Sequence, residues 1–539
     1  MTWPTRLCLL SILGVVIVGC RGPASGADAG PSTDAQVQAT YRSLTSQVQV
    51  QRIKEVVDTF SSYGSRLAGS EGEKKTFDEV AKRFAALGLT NLRREPFKVT
   101  VPDPDALGTL TVNSEKITIY PMWPNLVRTS TCDVTGPIVY GGNGSMEDLN
   151  GKSIKGSIVL LEFNTGARWR NAASLGARAI VFLEPTRTTR SEAEQKFGST
   201  PVSMPRFYLP LDKAGPVLNA AFANQSVNLK CRQDWVSKTS ENLLADLPGT
   251  DSSASEERVL IAANADAMSV VPALAPGAEG TTSIAALLEL AEIWRKTPHR
   301  RPITFMLSGA HGLGLQGARE FIERRLDKDP QPLLLATTID LSSGSASLAS
   351  NGRGWFYEYR DEVRDPVVNF SRLLRKHADV LAPVLNAQSA RLLLTDAVNN
   401  SDNRTWKNNI PGRFALDCEP MLLGGYNALT FATVEDARDR IDTPFDTVDK
   451  VNVSNIAAQT KTLVAMLHHA LNDTTDRGAD GDYKVPLDVR TPSRMRLTGG
   501  FATVSGYVAV YDPAKSFVPD VRVTDAIAVS NSWQKTLMG

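Results

Sequence analysis

The residues of this chain that could do chemistry fall at the ends of predicted strands. Four short apolar runs read as strands: Val259–Ala263, Ile303–Ser308, Leu335–Asp340 and Ala428–Thr433. Asn264 and Asp266 follow the first, and Gly309, Ala310, His311 and Gly312 follow the second. The third ends on Asp340, and Glu435, Asp436 and Asp442 follow the fourth. In open α/β sheets ligands bind outside the carboxyl ends of the strands, so this set is expected to converge. One imidazole, one amide and several carboxylates would suit a hard cation, which prefers oxygen ligands. The set is poor for a pair of zinc ions, which take imidazole nitrogens as well as carboxylates. His311 has the chemistry of a general base. A Ser308–His311–Asp triad lacks the nucleophile-elbow pattern and is set aside.

The elements that must position these residues are legible from periodicity. Ile284, Leu287, Leu288, Ala291 and Trp294 recur on one helical face between the first two strands. Continuous apolar strands separated by such helices predict a mixed, mostly parallel sheet covered by helices on both faces. Upstream, EGEKKTFDEVAKRFAALGL predicts a helix closed by Gly88. Residues 125–240 are strand-rich (GPIVYGG, SIVLLEF, RAIVFLEP), with one short helix, NAASLGA. They are expected to interrupt a single α/β domain formed by residues 41–124 and 241–475. A polar linker, 476–484, leads to a β-patterned segment, 485–539, with too few strands for an independent sandwich. That segment is expected either to extend the main sheet or to belong to a β-domain running past the last residue.

Bulk properties set the outer bounds. A chain of 539 residues is too long for one ordinary core. Lys+Arg 59 against Asp+Glu 58 leaves no strong field, so nucleic acid is not an expected partner. Residues 1–20 carry Arg6, an apolar run too short to span a bilayer, and Gly19-Cys20. This pattern predicts a lipoprotein signal with Cys20 as the lipidated residue, and hence export and lipid anchoring to a bacterial membrane. A plain cleaved secretory signal is the alternative. Residues 21–40, rich in Gly, Ser, Ala and Pro, read as a flexible tether. An exported chain can form disulfides, and Cys132 and Cys231, flanking the insert, are the expected pair; two buried thiols are the alternative. No C-x-x-C motif indicates a cysteine zinc site.

Several ordered motifs resemble the co-catalytic zinc aminopeptidase and carboxypeptidase family, peptidase family M28. RLAGSEGEKK, ENLLADLPGTD, the stretch from Arg258 to Ala318 and IDTPFDTVDKVN each resemble a family motif, in family order. Residues 125–240 resemble the family's protease-associated insert. The resemblance implies an α/β aminopeptidase-like fold and a two-zinc site, yet the ligand positions are degenerate. Asn264 stands at the first histidine ligand, with Asp266 kept beside it. Gly280 stands at the bridging carboxylate. His311 and Gly312 stand at the general base and its neighbouring ligand. Asp340 keeps its family residue, and Asp442 stands at the last histidine. Without a bridge, two metals have no shared carboxylate to hold them close.

These observations predict an exported, membrane-tethered pseudopeptidase that binds a peptide, protein or cell-surface ligand without zinc-dependent cleavage. The alternative is an active metallo-aminopeptidase or carboxypeptidase with a remodelled single-metal site. Asp266, Asp340 and Asp442, with His311, would then hold zinc or another divalent cation; otherwise no cofactor is expected.

Overall fold

The computed structural model describes residues 33–125, 129–196, 204–327, 330–354, 361–386, 392–395, 414–474, 485–492, 510–512 and 516–518. The signal segment with Cys20, the linker 476–484 and most of 485–539 lie outside the described residues. The first helix, α1 (Thr33–Thr45), begins inside the stretch expected as a tether. It is followed by α2 (Val50–Ser61) and α3 (Glu71–Ala86). Ser70 caps α3 by accepting from the Glu73 amide, and the Glu73 carboxylate reaches back to the Gly69 amide. This is the reciprocal logic of a capping box, and it accounts for the S-x-x-E spacing. Gly72 is required because a Cβ there would lie 2.1 Å from the Ser65 carbonyl oxygen.

Two long antiparallel strands, β1 (Thr90–Pro102) and β9 (Trp235–Leu247), carry the chain out of the main body and back. Between them lies a closed barrel of seven strands. Its strands are β2 (Gly108–Val112), β3 (Glu115–Pro121), β4 (Cys132–Tyr140), β5 (Ile158–Glu162), β6 (Ala179–Leu183), β7 (Arg206–Leu209) and β8 (Ser226–Cys231). The short helices α4 (Met146–Leu149), α5 (Trp169–Ser174) and α6 (Arg190–Glu194), and the longer α7 (Ala214–Phe222), join them. The barrel therefore begins at Gly108, ahead of the expected boundary at 125. The reason is local: GTLTV and EKITIYP alternate buried and exposed residues and pair as a hairpin.

The main sheet has eight strands in the order β1-β9-β11-β10-β12-β15-β13-β14. Its centre is β10 (Val259–Asn264), β11 (Ile303–Ser308), β12 (Leu335–Asp340) and β15 (Ala428–Thr433), mutually parallel and almost wholly buried. The edge is β13 (Leu348–Asn351) and β14 (Leu393–Thr395). The helices are α8 (Thr281–Lys296), α9 (Gln316–Asp327), α10 (Asp361–Leu381), α11 (Cys418–Leu423) and α12 (Val453–Asn472). The β10-to-β11 and β11-to-β12 connections run in opposite directions across the sheet. Right-handed crossovers then place α8 and α9 on opposite faces. Helix α8 is buried nearly all round because α2, α3 and α12 cover the side turned away from the sheet. Even its Glu289 is interior, where Arg52 and the Gln49 amide satisfy it.

An apolar cluster continuous across both units holds the barrel against the body. It joins Leu67, Val99, Met268, Val270 and Leu313 of the body side to Trp123, Phe163, Trp169 and Phe182 of the barrel. The Trp123 amide also donates to the Val270 carbonyl at 2.8 Å.

Cys132 and Cys231 are direct cross-strand partners on β4 and β8, and both are free thiols in the structure. Paired antiparallel residues bring Cα atoms to about 4.5–5.5 Å, within disulfide range. Burial pushes Cys132 up to about 11 and Cys231 up to about 12, so neither is a reactive thiolate at neutral pH. Mild oxidation is expected to link these two slowly and leave buried Cys418 free. Peptide mapping after thiol blocking checks this; a Cys418 adduct would contradict it.

Candidate functional site

Of the residues singled out in the sequence, Asn264, Asp266, Gly280, His311, Gly312, Asp340 and Asp442 line one cavity of ≈ 110 Å³ at the carboxyl ends of the central strands. Each of these was delivered there by a strand end or by the loop after it, as open-sheet topology requires. Glu435 and Asp436, expected to join them, do not line it and instead accept from the hydroxyls of Ser347 and Ser342. What those side chains do once there departs from a metal site.

Asp266 is buried, and its two oxygens accept the backbone amides of His311 (2.8 Å) and Gly312 (3.0 Å). Burial raises its pKa, while the His311 charge and these two amides pull the other way. The carboxylate is thus a brace for the turn after β11, where Ala310 adopts a positive φ of 56°. Asn264 donates to the backbone oxygen of Asp266 at 3.3 Å rather than to its carboxylate. Gly280 immediately precedes α8, and a Cβ there would lie 3.2 Å from Nη2 of Arg66. That guanidinium is fully buried and donates to the carbonyls of Ala265 and Gly277. A cation therefore sits beside the position from which a bridging carboxylate would extend.

The two carboxylates that could still coordinate are each held by an arginine. Asp340, at the end of β12, accepts from Nη1 of Arg438 at 2.8 Å, and Nη2 of the same residue bonds the Asp340 carbonyl at 2.9 Å. The Arg438 side chain is 3% exposed, and its guanidinium carbon lies 4.1 Å from the centre of the Phe414 ring. Asp442, in a left-handed conformation at φ 65°, accepts from Nε of Arg190 at 2.9 Å. Arg190 belongs to α6 of the barrel, and its own amide bonds the Asp439 carbonyl. Burial opposes the Arg190 charge, but Asp442, Glu194 and Asp340 more than offset it.

His311 is paired through Nδ1 with Asp417 at 3.1 Å. Burial works against its charge, but Asp417, Asp340 and Asp266 together raise it to about 10. At neutral pH it is an imidazolium with no lone pair to accept a proton, so it is not placed to act as a general base. Ser308 Oγ points to the backbone of Ala263 and, at 3.5 Å, to Asp417. A triad would instead need that hydroxyl on the imidazole.

Peptidase family M28 matches residues 242–467. This chain carries an M28 peptidase domain. The aminopeptidase YwaD of Bacillus subtilis is 20% identical over 342 residues, spanning 62% of this chain and 70% of that protein. Among solved structures, a zinc aminopeptidase from Bacillus subtilis superposes with a TM-score of 0.53 at 17% identity, covering 82% of this chain and 99% of the other. An M28 peptidase precursor from Shewanella amazonensis SB2B gives 0.53 at 19%, covering 83% and 100%. At such identities the shared feature is the fold, an aminopeptidase-like mixed sheet covered by helices.

Within the M28 domain, the donor set does not fit a pair of zinc ions. Asp266 is consumed by backbone amides, Asp340 and Asp442 by guanidinium groups, and His311 is protonated. Among the described residues, the one group of three His, Cys, Asp or Glu ligand atoms within 4.8 Å of one another is His377, His469 and Asp473, on α10 and at the end of α12, outside this cavity.

Sequence reasoning gave no role to five residues that shape the site, Arg66, Arg190, Glu279, Asp417 and Arg438, although Arg66 opens the RLAGSEGEKK motif. Arg438 had a signal, since a basic residue beside strand-end carboxylates is their natural counter-ion. Glu279 lies next to Gly280, but its carboxylate turns to Ser343 and Arg440 instead. Asp417 and Arg190 carry no local pattern.

Replacing Arg438 by Ala would leave Asp340 without its partner, at a cost of about 3–5 kcal/mol. Urea unfolding is expected to show this loss, and Arg438→Met combined with Asp340→Asn is expected to recover most of it. For His311 the folded pKa lies above the unfolded value of 6.5. Its contribution to stability is therefore complete below about pH 6.5 and lost as pH rises through about 10. His311→Gln should flatten the pH dependence of the unfolding midpoint across that window. An unchanged profile would show that the imidazolium is not formed.

Proposed function

We propose that this protein is a non-hydrolytic M28 homologue whose cleft binds a peptide or protein instead of cleaving it. The observation that carries this reading is the pairing of Arg438 with Asp340 and of Arg190 with Asp442. Both arginines are permanently charged and cannot be deprotonated to release their carboxylates at physiological pH. A divalent cation would have to displace them and then face two adjacent positive charges. His311, at the family's general-base position, is already protonated. Peptide hydrolysis therefore lacks both an activated water and a base.

The remaining parts of the proposal follow from the sequence. Residues 1–20 support export, and Cys20 supports a lipid anchor on the outer side of a bacterial membrane. The β-barrel insert is proposed to be a protease-associated domain and, docked over the cleft, to supply part of the binding surface. The expected ligands are peptide, protein or cell-surface polymer, with no role for nucleic acid. Zinc in the cleft is not expected, although the similar Bacillus subtilis structure is that of a zinc aminopeptidase.

Turnover, not metal content alone, decides the matter. The purified full chain, supplied with zinc, is expected to show no activity on aminopeptidase and carboxypeptidase substrates. Arg190→Ala and Arg438→Ala are expected not to restore it. Zinc-dependent turnover that is lost in Asp340→Ala would overturn the proposal in favour of a remodelled single-metal peptidase. For the binding arm, equilibrium dialysis against a defined peptide pool should retain peptides on the wild type and fewer on Arg190→Ala. Equal retention by both would remove the cleft from the reading.

A further inference from the structure

Far from the cleft, four of the chain's five histidines form a chain of contacts through the helical layer. His299 meets Trp294 edge-on at 6.1 Å, Trp294 stacks on His468 at 6.4 Å, and His468 meets His469 at 5.6 Å. His377 of α10 then lies face to face with His469 of α12, with ring centres 3.4 Å apart. The amino end of α12 serves the cleft side, where Asn455 and Gln459 bond the carbonyls of Ser343 and Ser342. Its carboxyl end, with His469, lies beside the start of β11, where Arg301 bonds the Leu471 carbonyl. At about 1.5 Å per residue Asn455 and His469 are roughly 20 Å apart.

The environment of the stacked pair is unusual for imidazoles. His377 is 1% exposed and His469 is 3% exposed, among the apolar side chains of α1, α10 and α12. Two polar rings are costly to bury unless their nitrogens are satisfied. Asp473, one helical turn beyond His469, reaches its Nδ1 at 2.7 Å, and the Tyr41 hydroxyl of α1 lies 2.6 Å from its Nε2. Ligand atoms of His377, His469 and Asp473 all lie within 4.8 Å of one another. A metal binds imidazole through an unprotonated ring nitrogen, so each histidine would ligate in its neutral form.

We propose that His377, His469 and Asp473 form a structural site for a divalent transition-metal cation of the zinc type, joining α10 to α12. Two imidazoles and a carboxylate are a common donor set for such ions. On binding, the proton of the His469 Nδ1–Asp473 hydrogen bond moves to Nε2 so that Nδ1 and the carboxylate take the cation, and the His377 ring, which lies face to face with His469, turns to aim a nitrogen at it. Tyr41 then accepts a hydrogen bond from Nε2–H, fixing the ring and its tautomer as an outer-shell partner does. The site is separate from the cleft, so it implies nothing about peptide hydrolysis.

The full chain, stripped with a chelator and titrated with zinc or with cobalt as a spectroscopic probe, tests this. Wild type is expected to bind one equivalent, to gain thermal stability on binding, and with cobalt to give the visible bands of a low-coordinate site. Affinity should fall by about 10–100-fold or more in His377→Gln and in Asp473→Asn, while Asp340→Asn binds as wild type does. Asp473→Asn guards against misfolding of the buried histidine variant. No binding by wild type would overturn the proposal, as would affinity unchanged in both cluster variants. Binding lost only in Asp340→Asn would overturn it too and would place the metal in the cleft.

Discussion

The cleft is organised by the exchange of one kind of cation for another. Carboxylates gathered at the ends of parallel strands repel one another and need positive charge close by. In this molecule the charge is organic: Arg438 on Asp340, Arg190 on Asp442, Arg66 beside Gly280, and the imidazolium of His311 among Asp417, Asp340 and Asp266. A guanidinium neutralises a carboxylate through directed hydrogen bonds, but it cannot polarise a carbonyl as a metal does or bind a water and make it acidic. The scaffold is thereby kept electrically balanced while its hydrolytic chemistry is not supplied.

This balance couples the two units of the protein. Arg438 comes from the body, but Arg190 comes from the barrel, and the apolar cluster through Trp123, Met268 and Leu313 holds the barrel where Arg190 can reach. The cavity left between them is small, with a volume of ≈ 110 Å³. A bound chain would have to lie along its mouth or enter with a single small group. Asp446 adds to the tension within this region. Burial and nearby Glu279 push it up to about 8.

Much of the framework was legible in the sequence, for a physical reason. The strands β10, β11, β12 and β15 are buried on both faces, so they appear as continuous apolar runs that need no partner to be recognised. The residues following them had to meet because parallel strands in one sheet share one carboxyl end. Asn264, Asp266, His311, Asp340 and Asp442 therefore converge as expected. Their bonding was not legible, because it depends on partners distant in the chain. Asp417 lies 106 residues from His311, and Arg190 lies 252 residues from Asp442. The barrel's first hairpin was missed because its strands are short and only every second residue is buried, so neither makes a continuous apolar run. The histidines of α10 and α12 drew no reading from the sequence, since neither composition nor spacing reveals which helices will lie side by side.

The reach of Arg190 into the cleft also makes one ion pair a reporter of how the two units sit together. Arg438, Arg66 and His311 all come from the body and stay with the cleft wherever the barrel lies, but Asp442 meets Arg190 only when the barrel is docked. A molecule with the two units apart would leave Asp442 without this partner and bare the apolar face around Trp123 in the same movement.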